Sequence, residues 1–268
     1  GGVCNRSLDS AVAAVAAMQA GMAVATIAEL PAADYHLLSC PDSQIAACAQ
    51  ALAASGVLRA GDVVFHASGA LDAGLLQPAA AQGALTGSLH PVRSFSGALL
   101  SAQDFAGTYC GLEGGDAALA RLEVLVQAIG GMAFRIDAQH KTLYHAASVI
   151  ACNYLTALQE VSLQTFAAAG VERELAMQLL QPLVSGTVHN VFTQGPQAAL
   201  TGPIARGDHA VVARQLQALQ DWRPELAQLY RLLGTQALSL AQAQGRAQAG
   251  DLQQVAQVLA AAESGVHS

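Results

Sequence analysis

The leading half of the chain alternates short apolar runs with amphipathic stretches, and the trailing half keeps only the stretches. Apolar runs at 2–4, 23–26, 35–39, 63–66, 85–89, 109–112 and 133–136 predict strands. Between them, residues 7–20, 43–54 and 116–129 place apolar side chains at helical spacing. Ser7 stands where an N-cap belongs, and Pro41-Asp42 opens the second helix. Strands alternating with helices predict a parallel sheet covered on both faces. After Asp137 the strand signal stops. Residues 141–169 read as one long helix stopped by Gly170, with further helices at 172–191, 208–219, 224–244 and 251–262. The expected domains are an α/β unit over 1–137 and an all-helical unit over 138–268, with a frayed tail at 263–268.

Composition narrows the function classes. Hydrophobic residues reach 53%, much of it alanine, so the chain has ample material for helices and a core. Aromatic residues are only 4%, Lys plus Arg total 12, and the net charge is −7. Without stacking platforms or a basic stripe, nucleic acid and anionic membrane surfaces are not expected partners. No apolar run approaches the roughly 18 residues of a membrane span. Cys4, Cys40, Cys48, Cys110 and Cys152 form no CxxC pair, and most lie in apolar runs. They read as reduced thiols of a cytosolic protein, and no metal is expected.

A doubly wound sheet binds a dinucleotide across the carboxyl ends of its strands. The end of the second strand of such a sheet selects the cofactor: a carboxylate there binds the ribose of NAD, whereas neutral or basic groups accept the 2′-phosphate of NADP. Here that position reads Cys4-Asn5-Arg6-Ser7, with no carboxylate before Asp9. Arg6 offers a guanidinium fork, Ser7 a hydroxyl and a helix N-terminus, and Asn5 lies beside them. The set favours NADP over NAD. A solvated arginine beside a helix cap is the plainer alternative. Two later strand tips, Cys40-Pro41-Asp42 and His66-Ala67-Ser68-Gly69-Ala70, fall where loops would touch a ribose and a nicotinamide. Ordinary turn chemistry accounts equally well for Ser68, Gly69 and Asp42.

The helix beginning at Lys141 carries Tyr144, His145, Ser148, Cys152 and Asn153. Lys141, His145, Ser148 and Cys152, spaced four, three and four apart, share one face. Reduction of a C=O or C=N bond needs hydride at carbon and a proton at the heteroatom, and a lysine or histidine tuned by burial suits the second task. Lys141 and His145 are therefore candidate catalytic residues, with Ser148 and Asn153 as substrate contacts. A solvated lysine and a hydrogen-bonded core histidine are the competing reading. His90, in Ser88-Leu89-His90-Pro91-Val92-Arg93-Ser94-Phe95, adds a titratable group at a strand end and is a third candidate catalytic residue, and Ser94 offers a hydroxyl as a candidate substrate contact. In Thr201-Gly202-Pro203-Ile204-Ala205-Arg206-Gly207-Asp208, a helix stop and an N-cap explain Gly202, Pro203 and Asp208 but leave Thr201 and Arg206 without a structural task, and these two are candidate substrate contacts.

The series NRS, PD, HxSGAL, HPVRSF, KxxYHAA and TGPIARGD, from Asn5 to about Leu240, resembles a bacterial family of Rossmann-like proteins with an uncharacterised helical C-terminal domain. These are labelled NADP oxidoreductases of the deazaflavin-dependent type. The wider superfamily holds 6-phosphogluconate dehydrogenase, 3-hydroxyisobutyrate dehydrogenase, ketopantoate reductase and pyrroline-5-carboxylate reductase. The resemblance implies a Rossmann-type parallel sheet followed by an all-α domain of the 6-phosphogluconate dehydrogenase C-terminal type. It also implies an NADP site in the first domain, a small-molecule substrate in the interdomain cleft and a homodimer through the helical domain. The GxGxxG fingerprint is absent. Family members would carry the first βα unit and the phosphate loop in about 25–30 residues ahead of Gly1, so that unit is expected to be missing from this chain. In hydroxyacid dehydrogenases of the superfamily the catalytic lysine is followed four residues later by asparagine; here His145 stands there and Asn153 lies twelve residues on. The expected activity is NADP-dependent oxidoreduction of a small carbonyl, hydroxy acid or imine. The alternative is a dinucleotide-binding sensor or scaffold without turnover.

Overall fold

A computed structural model describes residues 1–94 and 105–261. Phe95 of the HPVRSF stretch and the tail at 263–268 lie outside the described residues. The chain divides into two compact units, Gly1–Leu158 and Gln159–Ser268.

The leading unit carries strands β1 (Gly2–Cys4), β2 (Met22–Val24), β3 (Tyr35–Leu38), β4 (Val63–His66), β5 (Leu85–Pro91), β6 (Tyr109–Gly114) and β7 (Met132–Arg135). Its helices are α1 (Leu8–Met18), α2 (Ile45–Ala54), α3 (Gln77–Ala80), α4 (Asp116–Ala128) and the first turns of α5 (Lys141–Ala168). Strands β3 to β7 form one sheet in sequence order, and β1 pairs with β2 in a separate parallel sheet. The pairs β3–β4, β4–β5 and β6–β7 are parallel.

The pair β5–β6 is antiparallel within this otherwise parallel sheet. A parallel pair needs a long crossover, commonly a helix, whereas an antiparallel return does not. The parallel part of the fold, with helices on both faces, holds as expected.

Strand β4 is buried along its whole length, and its side chains alternate between two cores. Val63 and Phe65 join Leu112, Leu122 and Val126 on the α4 face; Val64 joins Ile45, Leu52, Leu76 and Ala79 beneath α2 and α3. Full burial of a Leu or Ile such as Leu76, Leu122 or Ile45 stabilises by about 1.5–3 kcal/mol. Two buried faces are what a parallel strand under helices requires.

The trailing unit continues α5 and adds α6 (Arg173–Gln194), α7 (Pro196–Ala199), α8 (His209–Trp222), α9 (Pro224–Gln244) and α10 (Ala249–Ala260). Val212, Leu238, Ala241, Leu252, Val255 and Leu259 interlock α8, α9 and α10. Asp208 caps α8 by accepting the Val211 N–H at 3.2 Å. The compact division falls at Leu158 rather than at Asp137, because the first turns of α5 pack on the sheet through Lys141, Tyr144 and His145. The strand signal itself ends where the sequence placed it. Among the described residues, no helix is long and apolar enough to cross a membrane.

Candidate active site

Parallel strands β3, β4 and β5 deliver Asp42, Ser68-Gly69 and His90 to the same edge of the sheet, at their carboxyl ends. The start of α5 meets them there. Thr142 donates its hydroxyl to the Ala70 carbonyl at 3.4 Å, pinning the helix to the loop after β4.

Lys141 is the only lysine in the chain and is 1% exposed. It is therefore not a solvated N-terminal residue. Its ammonium donates to Ser88 Oγ in a short contact and to Glu113 Oε2 at 3.4 Å. Glu113 Oε2 also accepts Ser88 Oγ–H at 3.1 Å and the Ala73 N–H at 2.9 Å. Ser88 and Glu113 are themselves buried, on directly paired positions of β5 and β6. Burial of the charged form holds the Lys141 pKa below the usual lysine range, and Glu113 offsets part of that shift.

A second group of polar side chains adjoins this one. His90 Nδ1 lies 2.8 Å from the Tyr144 hydroxyl, and its ring meets the Tyr144 ring edge-on at 5.6 Å. The His145 ring packs edge-on to His90 at 5.7 Å. Both imidazoles lie against Gly69: a Cβ there would collide with His145 Cδ2 and come within 2.7 Å of His90 Nε2. Glycine at 69 is a steric requirement of this cluster. Burial, followed by the neighbouring His145 and Lys141 charges, lowers the His90 pKa. Burial raises that of Tyr144. Both shifts favour the neutral forms of the pair, whose ring nitrogen and hydroxyl lie in hydrogen-bond range.

The loops over β3 and β4 are knitted together. Ser68 Oγ donates to Asp42 Oδ2 at 2.8 Å and accepts the N–H groups of Ala70 and Leu71 at 3.2 and 3.1 Å. His66 accepts the Ser68 N–H at Nδ1 and faces the Asp72 carbonyl with Nε2 at 3.2 Å, which sets its neutral tautomer. Burial keeps its pKa low. Ser68 and Asp42 therefore shape the loops, as turn chemistry predicts. Pro41 ends the β3 loop, and Cys40 beside it is pushed up to about 11 by burial and by its contact with Cys48.

At the tip of β1, Ser7 caps α1 by accepting the Ser10 N–H at 3.3 Å, and Asn5 Oδ1 accepts the Arg6 N–H at 2.8 Å. The Arg6 side chain is exposed, with no carboxylate in salt-bridge range among the described residues. Ser94 and Asn153 are exposed, and Ser148 is half-buried. Of the polar stripe on α5, only Lys141 and His145 reach the sheet; Cys152 is exposed. Thr201 and Arg206 lie in the trailing unit, on the wall of a separate cavity.

Sequence reasoning missed Glu113, Ser88 and Tyr144 as site residues. The signal for Glu113 was available: a carboxylate inside the apolar run Tyr109–Gly114 must be paired, and the chain has one lysine.

Residues 7–91 match the Rossmann-like domain, and residues 108–237 match a domain of unknown function, DUF2520. No curated protein matches the chain. Among solved structures, protein TM1727 from Thermotoga maritima aligns with a TM-score of 0.72 and 25% identity over 91% of this chain and 92% of that one. An imine reductase from Myxococcus stipitatus, in complex with NADP+, aligns with a TM-score of 0.58 and 17% identity, over 95% of this chain and 91% of that one. A pyrroline carboxylate reductase from Plasmodium falciparum, with NADP bound, gives 0.54 and 14%, over 84% and 82%. At the identities of the last two, the likeness is one of fold. The resemblance to Rossmann-like proteins with an uncharacterised helical domain is borne out.

Proposed function

We propose, for a chain that carries a Rossmann-like domain followed by DUF2520, an NADP-dependent oxidoreductase acting on a small carbonyl, hydroxy acid or imine. The observation that carries this reading is the joining of a buried Lys141–Glu113 pair to a neutral His90–Tyr144 pair at the carboxyl ends of β4 and β5. Ligands of open α/β sheets bind at that edge. The fold shared with structures that hold NADP supports the same cofactor. Arg6, unpaired at the tip of β1, with Asn5 and the N-terminus of α1 at Ser7, fits a 2′-phosphate.

The cofactor, when bound, supplies hydride to the substrate carbon. The residues of this chain then manage the proton and the charge. His90 gives its Nε2–H to the substrate heteroatom as its Nδ1 takes the proton of the Tyr144 hydroxyl, so the imidazole stays neutral and the charge is left on the Tyr144 oxygen. His145 lines the same face. Lys141 is enclosed by Ser88 and Glu113, so its part is to hold that buried pair together beside the site rather than to touch substrate. Ser68 and Gly69 place the loop against which the ring would lie, with Asp42, Pro41 and Cys40 forming the neighbouring wall. Ser94, Ser148 and Asn153 are retained as substrate contacts.

The enclosure of Lys141 favours a second reading, a dinucleotide-binding protein without turnover. NADPH consumption by the full-length protein with a panel of 2-keto acids and cyclic imines separates the two. Turnover that falls by about 10²–10⁴-fold in His90→Gln supports the enzyme. Tight NADPH binding without turnover on any substrate supports the second reading.

A homodimer through the helical unit belongs to the same proposal. Leu175, Met177, Leu179, Leu183 and Phe192 of α6 are all exposed, Phe192 by 86%, and only Ala176 and Leu180 of that helix are buried. Leu175, Leu179 and Leu183 share one face of α6, Met177 and Phe192 lie elsewhere around it, and so many exposed apolar side chains on one helix fit a surface that a partner covers.

A further inference from the structure

Helix α5 meets the sheet on two neighbouring rungs. Across β5 and β6, Ser88 is paired with Glu113 and His90 with Gly111. Residues two apart on a strand point to one face, so both rungs look to the same side of the sheet. Lys141 stands on the first rung, its ammonium on Ser88 Oγ and 3.4 Å from Glu113 Oε2. Tyr144 stands on the second, its hydroxyl 2.8 Å from His90 Nδ1. A Cβ at Gly111 would come within 3.1 Å of that hydroxyl. Three residues apart, Lys141 and Tyr144 lie on one side of the helix. His145, one position on, meets the His90 ring at 5.7 Å.

The two rungs differ in what fixes them. Glu113 Oε2 accepts from the Ala73 N–H, Ser88 and Lys141 at 2.9, 3.1 and 3.4 Å. The segment after β4, strand β5 and helix α5 thus converge on one oxygen. An ammonium on a residue 1% exposed cannot leave these partners without stranding a charge. A slip of α5 by one residue would carry a side chain about 1.5 Å along and about 100° around the helix axis, which breaks the contact. Lys141 is the only lysine among eleven arginines, since Lys plus Arg total 12. Its compact head on a flexible stem suits this closed place better than a planar fork. The second rung has no such anchor of its own. Among the described residues, His90 is the hydrogen-bond partner of the Tyr144 hydroxyl. The Tyr144 ring also meets Phe134 edge-on at 6.0 Å, but the helix sets how far the hydroxyl reaches over His90.

We infer that Glu113 is a positioning residue for the His90–Tyr144 pair: through Lys141 it holds α5 in the register that brings the Tyr144 hydroxyl onto His90 Nδ1. Glu113 and Lys141 act through Tyr144 and touch no substrate. The consequence for turnover rests on the reading of His90 as proton donor; the register itself belongs to the free protein.

The double variant Lys141→Met/Glu113→Gln cuts the tether without leaving a charge, and the glutamine carbonyl still accepts from Ser88 and Ala73. In free full-length protein labelled with 15N-histidine, the His90 Nδ1 resonance, assigned by its loss in His90→Gln, reports the hydrogen bond. Tyr144→Phe marks where that resonance stands without one. The double variant is expected to move it more than halfway to that mark, while His36, buried beside Asp62 on β3 and two strands from β5, keeps its own signal. With NADPH and a substrate of the panel, kcat should fall about tenfold or more with KM for NADPH within about twofold. Ser88→Ala, the milder cut, should shift the resonance in the same direction, and decides by the same comparison if the double variant does not fold. A His90 signal that stays in place in a folded variant, or moves only together with that of His36, overturns the inference. Selective movement of His90 in a protein that turns over no substrate leaves the inference standing and removes the enzymatic reading instead.

Discussion

Removing Glu113 should expose how much of the leading unit depends on one buried charge pair. In Glu113→Ala the acceptor for Lys141, Ser88 and the Ala73 N–H disappears at once, and the ammonium of a residue 1% exposed keeps only Ser88. Breaking a buried pair from one side leaves an uncompensated charge and costs about 3–5 kcal/mol. Lys141→Met, which strands the carboxylate, should cost a similar amount, eased by the two donors that Glu113 retains. The double variant Lys141→Met/Glu113→Ala leaves no charge behind, so its cost should fall below the sum of the single costs by about 2–3 kcal/mol. Amide exchange in β5 and β6, followed through urea titration, reads the opening free energy of this unit without averaging over the helical one. Costs that add within about 0.5 kcal/mol would refute the pairing, because residues without a shared interaction behave additively.

Arg6→Ala should weaken NADPH by about tenfold or more and leave NADH nearly unchanged, since only the former carries the 2′-phosphate; equal losses in a fluorescence titration remove that assignment. Gly69→Ala should push both imidazoles off the loop, costing about 1–3 kcal/mol by overpacking and a larger share of turnover, and a variant with wild-type kinetics would show that the His90–His145 contact is dispensable. Acidification should destabilise the protein. His66 and His90 have lowered folded-state pKa values, so below the ordinary value of about 6.5 the unfolded chain binds more protons than the folded one. Stability is therefore full above that pH and lost as it falls through the window, and His90→Gln should flatten the slope measured by thermal melts.

The architecture was largely legible because each signal was local. Val63–His66 and Pro224–Gln244 are found where their apolar spacing put them, and Gly170 ends α5 as a residue free to take positive φ. The antiparallel turn-back of β6 was not read, because strand direction is set by connections and not by the composition of a strand. At the site, His90, Lys141 and His145 were found by chemistry at strand ends and on one helix face. Glu113, Ser88 and Tyr144 were not, because each takes its meaning from a partner 25 to 54 positions away. Farther along α5, Ser148 is half-buried and Asn153 exposed: periodicity shows which residues share a face, but not how far along the helix that face stays covered. Thr201 and Arg206, expected as substrate contacts, lie in the trailing unit beside Gln244 at the end of α9 and Arg246 just beyond it, a grouping that the sequence around residues 201–208 does not show.

The account depends on a nicotinamide ring lying at the strand tips that meet the start of α5. Lys141 makes this directly testable, because the backbone amide of one lysine can be labelled with 15N and assigned by its disappearance in Lys141→Arg. Saturating NADP+ should shift that resonance, with an affinity matching the one read by fluorescence. Binding of NADP+ that leaves the Lys141 signal unmoved would place the ring elsewhere and contradict the account.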